Sequence, residues 1–152
     1  MNYILKDTTK MRGFTDMRVI FEALNGLQND YNWLITDIEC YPEVDEIKEE
    51  AFLSGDDLTD VLKQEDIQFI WAVFTGFRKD IEIDVSNLEV IPNIRDNYNF
   101  WSETKIQHSQ ASIEIDCCDS SYAVFLSKDE IASKKFKEYF SEAIDLDEYK
   151  ER

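Results

Sequence analysis

The stretch 112–126, SIEIDCCDSSYAVFL, reads as a β-hairpin. Ile113 and Ile115 alternate with Glu114 and Asp116, so one strand face is apolar and the other acidic. Asp119, Ser120 and Ser121 supply the turn, and YAVFL returns. A hairpin of this kind makes its two strands antiparallel.

Upstream, residues 67–75 (IQFIWAVFT) are apolar on both alternations, which predicts an interior strand covered on both faces. Residues 33–41 (WLITDIECY) predict another strand, stopped by Pro42. Residues 80–85 (DIEIDV) alternate cleanly and predict a half-exposed strand.

Three helices are predicted around these strands. Met17, Ile20, Phe21 and Leu24 make one stripe over 16–25, with Thr15 or Asp16 as cap and Gly26 as stop. Leu58, Val61 and Leu62 make a second, capped by Asp56 or Asp57. The third starts at Ser127, with Glu130 at the capping-box position, and buries Ile131, Ala132, Phe136, Tyr139 and Phe140. Residues 43–53 stay ambiguous, and 86–110 read as mostly loop with short strands.

The order α-β-α-β-β-loop-β-β-α defines an α+β chain with a mainly antiparallel sheet and helices packed on at least one face. At 152 residues it reads as a single domain, residues 1–152, with 141–152 a loosely docked tail.

Composition narrows the function classes. The formal charge is −17, and residues 36–70 carry twelve acids against Lys48 and Lys63, net −10. Such a field repels nucleic acid and anionic lipid and attracts basic partners. No run approaches the roughly 18–20 apolar residues of a membrane span. Residues 1–14 lack the apolar core and cleavage site of a secretory signal, so a cytoplasmic location is expected. Cys40, Cys117 and Cys118 read as buried thiols of a reducing compartment, the adjacent pair pointing to opposite strand faces.

Catalytic and cofactor motifs are missing. Four glycines stand in neither GxGxxG nor GxxxxGK spacing, so no nucleotide cofactor is expected. One histidine and no CxxC pair leave no zinc site. A dyad of His108 with Cys117 or Cys118 would put the thiol in an acidic strand, where a thiolate is disfavoured, so His108 reads as a hydrogen-bonded loop residue.

Carboxylates at a spacing of two recur on three predicted strands: Asp37 and Glu39, Glu82 and Asp84, Glu114 and Asp116. Each pair shares a face of its strand. A solvated sheet face, a surface for a basic partner and an acid–base or metal site all fit that pattern.

The runs YNWLITDIECYP, SGDDLTDVL, FIWAVFTGF and IEIDCCDSSYAVFLS resemble a group of small uncharacterised bacterial proteins. These share a tryptophan-bearing strand, a W-x-V-F strand and an acidic strand ending in D-S-S-Y. In type, the chain resembles immunity proteins that neutralise secreted toxins, where an acidic surface covers a cationic active site.

The leading expectation is therefore a non-catalytic cytosolic protein that binds a basic protein through Asp37, Glu39, Asp56, Asp57 and Asp60, with no cofactor and no metal. One alternative is a small metal-dependent or acid–base hydrolase using Glu114, Asp116 and Glu82 or Asp84. Another is a structural or assembly protein.

Overall fold

The computed structural model describes residues 1–11 and 15–151; residues 12–14, part of the segment read for a secretory signal, lie outside them, as does residue 152. The elements are β1 (Tyr3–Leu5), α1 (Met17–Leu24), β2 (Tyr31–Tyr41), β3 (Ala51–Ser54), α2 (Gly55–Gln64), β4 (Gln68–Arg78), β5 (Ile113–Cys118), β6 (Tyr122–Ser127), α3 (Glu130–Tyr139), β7 (Ile144–Asp145) and α4 (Leu146–Lys150). One seven-stranded sheet runs in the order β3-β2-β4-β5-β6-β1-β7. Every pairing is antiparallel. The class is α+β, with α1, α2 and α3 packed on one face.

The predicted hairpin is β5–β6, with Ile113 opposite Ser127 and Cys118 opposite Tyr122. Asp119 and Ser120 both take positive φ in its turn, 52° and 55°. Asp and Asn tolerate that conformation better than most side chains.

Strand β4 lies inside the sheet, between β2 and β5, as its two apolar faces require. Ala72 and Phe74 face the helices, while Val73 and Phe77 face the opposite side. The alternation is not strict. Phe69 also faces the helices, because the ladder steps from Glu39↔Trp71 to Cys40↔Phe69 and leaves Ile70 as an extra residue. A bulge of this kind reverses the side-chain phase of the strand beyond it.

The stripes of α1 and α2 pack as read and the α1 caps fall where expected, but the caps of α2 and α3 differ. Asp16 caps α1, and Asn25 (φ 51°) and Gly26 (φ 90°) end it in left-handed geometry. Ser54 caps α2, accepting the Asp57 amide at 3.1 Å, so Asp56 and Asp57 occupy the first turn. Gly55 follows because a Cβ there would sit 2.0 Å from the Gln28 carbonyl oxygen. Asp129, not Ser127, caps α3. The helix thus starts later than expected, and Ile131 in its first turn is 61% exposed while Ala132 and Phe136 are buried.

The second face of the sheet is covered mainly by 79–112, which holds no helix, with Leu146 and Tyr149 of α4 added at one end. Ile94 and Phe100 pack on Val73, Cys118, Val124 and Leu126. Ile81, Ile83 and Val85 pack on Leu34 and Phe77. Residues 80–85, read as a strand, form no ladder. Their alternation is real, with Glu82 and Asp84 exposed, but it records an extended segment laid over a sheet rather than one paired into it. Residues 144–145, in the segment read as a loose tail, pair with β1, and Leu146 is buried behind them.

Candidate functional site

Two acidic features stand apart in the fold, one exposed and one sealed. The exposed one grows from the 36–70 stretch. Glu43, Asp45, Glu46, Glu49 and Glu50 lie exposed in the β2–β3 connection, and Asp56, Asp57 and Asp60 lie exposed on α2. Between them runs β3, the terminal strand of the sheet. Leu58, Val61 and Leu62 hold α2 against the helix-side core, which turns its aspartates outward. Lys48 pairs with Asp45 at 3.3 Å and Lys79 reaches Asp56 at 3.9 Å. Both pairs are exposed and contribute little stability.

Asp37 and Glu39 do not join this surface. They sit on β2 toward the covering segment, on the opposite side of the sheet from α2. Asp37 takes φ 50° where β2 carries extra residues against β4. Its carboxylate accepts the amides of Ile94 (2.8 Å) and Arg95 (3.1 Å) and the Arg95 Nε (2.7 Å). Arg95 Nη1 then reaches Glu39 at 3.1 Å. Asp37 is therefore a clasp that fixes 94–95 onto the sheet. Replacing it with alanine is expected to speed amide exchange at Ile94 and Arg95 at least tenfold, read by hydrogen-exchange mass spectrometry, while β5 and β6 exchange as before. Arg95 was not legible as a partner, because 58 residues separate it from Asp37.

The sealed feature is Glu114 and Asp116 on β5. Both are 0% exposed beneath the covering segment. Glu114 accepts the Gln107 amide at 2.9 Å and its Nε2 at 3.4 Å. Among the described residues, Asp116 receives no donor at either oxygen, and the neighbouring Thr75 hydroxyl is also without a partner. Burial first, then the charge of Glu114, pushes the Asp116 carboxyl well above its usual range; burial pushes Glu114 up as well. Two buried charges this close on one strand face are disfavoured, so the pair resists full ionisation.

Glu82 and Asp84 do not complete this pair. Both are exposed, and Asp84 is turned back onto Ser86, accepting its hydroxyl at 2.6 Å. A substrate could reach Glu114 and Asp116 only by displacing the segment above them. Among the described residues, no group of three or more His, Cys, Asp or Glu side chains is placed to hold a metal ion.

The cysteines and His108 are also apart. Cys117 points into the helix-side core and Cys118 to the other face, as neighbours on a strand must. Burial raises both thiols far above their usual range. His108 is 2% exposed, packs edge-on against Phe77 at 4.9 Å, and accepts the Gln110 amide at Nδ1. Trp71 pairs with Cys118, so Phe77 lies six residues further along β4, roughly 20 Å away.

The remaining concavities are shallow. One of about 650 Å³ lies between β1 and α3, lined by Tyr3, Ser133, Lys134, Lys137 and Asp145 among others. Its Ser133 hydroxyl donates to the Met1 carbonyl at 2.9 Å. Among the described residues, no helix is long and apolar enough to cross a membrane. No protein-family model, no curated protein and no solved structure matches the chain.

Proposed function

We propose that this is a cytoplasmic binding protein that engages a basic protein through the acidic edge formed by β3, the turn before it and α2. The observation that carries the reading is the concentration of charge: net −10 over residues 36–70, with eight of those carboxylates exposed on either side of one edge strand. An immunity protein that covers the cationic site of a toxin domain fits this chemistry. Opposite charge would speed encounter and disfavour acidic competitors. The sealing of Glu114 and Asp116 supports binding over hydrolysis, since the clustered carboxyls face no cleft.

The five residues singled out in the sequence divide by role. Asp56, Asp57 and Asp60 face solvent and meet the partner; Asp37 and Glu39 hold the covering segment. Reversing the three α2 charges to lysine is expected to weaken the complex with a partner recovered from the parent cell at least tenfold at low salt. Most of the change should fall on the association rate. Surface plasmon resonance across a salt series measures both. An affinity indifferent to salt and to these substitutions would sink the electrostatic reading.

A further inference from the structure

The sheet has two ends, and they are not alike. At one end β7 is only Ile144–Asp145, and α4 begins at the next residue. So short an edge offers little ladder to a new strand. At the other end β3 pairs with β2 over Ala51–Ser54. Among the described residues, no backbone hydrogen bond reaches the outer side of these four residues. All four are partly exposed. Among the described residues, β2 runs on past Ile35 to Tyr41 with no strand on that side, so the open edge is longer than β3 itself.

Natural edge strands are usually protected by a lysine, a proline or an inward charge. AFLS has none of these. Its only guard is charge beside it: Asp45, Glu46, Glu49 and Glu50 before the strand, Asp56, Asp57 and Asp60 after it. That guard is mostly one-signed, with Lys48 beside Asp45 and Lys79 beside Asp56 as its cations. It repels a second copy of this chain, because edge-to-edge pairing would bring two such acidic sets together. It does not repel a cationic strand.

Building on the acidic-surface reading above, we propose that β3 is a strand-addition site: an extended lysine- or arginine-rich segment of the partner protein pairs with Ala51–Ser54 and continues the sheet. Backbone hydrogen bonds set the geometry, and the flanking carboxylates select the charge. The segment's alternate side chains meet Phe52 on one face and Leu53 on the other, so apolar residues between the cations suit it best.

The test uses the full-length protein and a short peptide of alternating lysine and valine, with two controls: a glutamate–valine peptide, and a lysine–valine peptide carrying prolines that remove ladder donors. Affinity is read by fluorescence anisotropy and site by amide exchange. The expected result is slower exchange within Ala51–Ser54, at least tenfold weaker binding of the proline peptide, and no binding of the acidic peptide. Equal binding of the proline peptide, or protection away from β3, overturns strand addition while leaving the acidic surface as the binding face. No binding of the lysine–valine peptide overturns strand addition too, and the separate salt and charge-reversal measurements on the cellular partner then judge the acidic surface alone. Protection of β3 on concentrating the protein without peptide, with a dimer in sedimentation, overturns it by making a second copy the occupant.

Discussion

Replacing Asp129 with alanine is expected to destabilise the protein by about 2–4 kcal/mol, more than an ordinary helix cap is worth. One carboxylate does two jobs. Its Oδ1 accepts the amides of Ile131 (3.0 Å) and Ala132 (3.2 Å), which caps α3. Its Oδ2 accepts the Tyr31 hydroxyl from β2, with Arg78 Nη2 at 3.5 Å. Losing the cap costs about 1 kcal/mol. Stranding the buried Tyr31 hydroxyl costs about 1–3 kcal/mol more. Arg78 is 54% exposed and adds little. Tyr31→Phe removes only the second contact and should lose less than Asp129→Ala. The double variant should lose less than the sum, because the two share a bond. Urea titration at constant m-value checks all three.

The same carboxylate predicts an acid limb. Burial works to raise its pKa, but the Tyr31 hydroxyl, the Ala132 and Ile131 amides and Arg78 together hold it below its usual value. A depressed carboxylate stabilises above its unfolded pKa of about 3.9 and loses that contribution as pH falls through the folded value. The gap between the parent protein and Asp129→Ala should therefore close below about pH 4.

Long periodic elements were legible in the sequence, and short ones were not. The 112–126 hairpin carries alternation, turn residues and a return strand together. The α1 stripe carries four apolar positions on one face. By contrast β1, β3 and β7 are three, four and two residues long, too short to hold a period. Their place is decided by tertiary pairing: β1 fits between β6 and β7 and is invisible until both exist. The misreading of 80–85 has the same root. Alternation reports which side is dry, and pairing is a separate fact.

The site was half legible for related reasons. A spacing of two did place Glu114 and Asp116 on one face. Whether that face is wet depends on its neighbours across the ladder, which are Thr75 and Leu126 beside Glu114, and Val73 and Val124 beside Asp116. Three of those four are apolar, which was a usable signal that the face is covered. The clasp of Asp37 on Arg95 left no such trace, because it depends on how 79–112 folds back over the sheet. The open edge at β3 needed the strand order, which local pattern does not contain.

Asp116→Asn is expected to act in the opposite direction from Asp129→Ala and raise stability at neutral pH by about 1–3 kcal/mol. Asp116 brings a carboxyl into the fold with no donor at either oxygen among the described residues, next to Glu114 and within the field of Asp37. Arg95, a cation of the covering segment, is spent on Asp37 and Glu39. An asparagine of the same shape carries a permanent N–H donor toward Glu114, replacing a proton that neutral solution tends to remove. The sign follows from burial, which raises the carboxyl pKa in the folded state. A raised group contributes its stability in full below the unfolded value of about 3.9 and loses it as pH rises through the folded value. The advantage of the asparagine variant should thus be small near pH 4, grow with pH, and flatten once Asp116 is forced to ionise. Parent and variant unfolding curves at a series of pH values measure it; an advantage that is constant with pH would show that Asp116 is not titrating inside the fold. Because Asp116 lies under the 79–112 segment and away from β3, the variant should keep full binding at the acidic edge. A stabilised protein with an unchanged partner affinity would separate the sealed carboxyls, which limit the fold, from the exposed ones proposed to serve recognition.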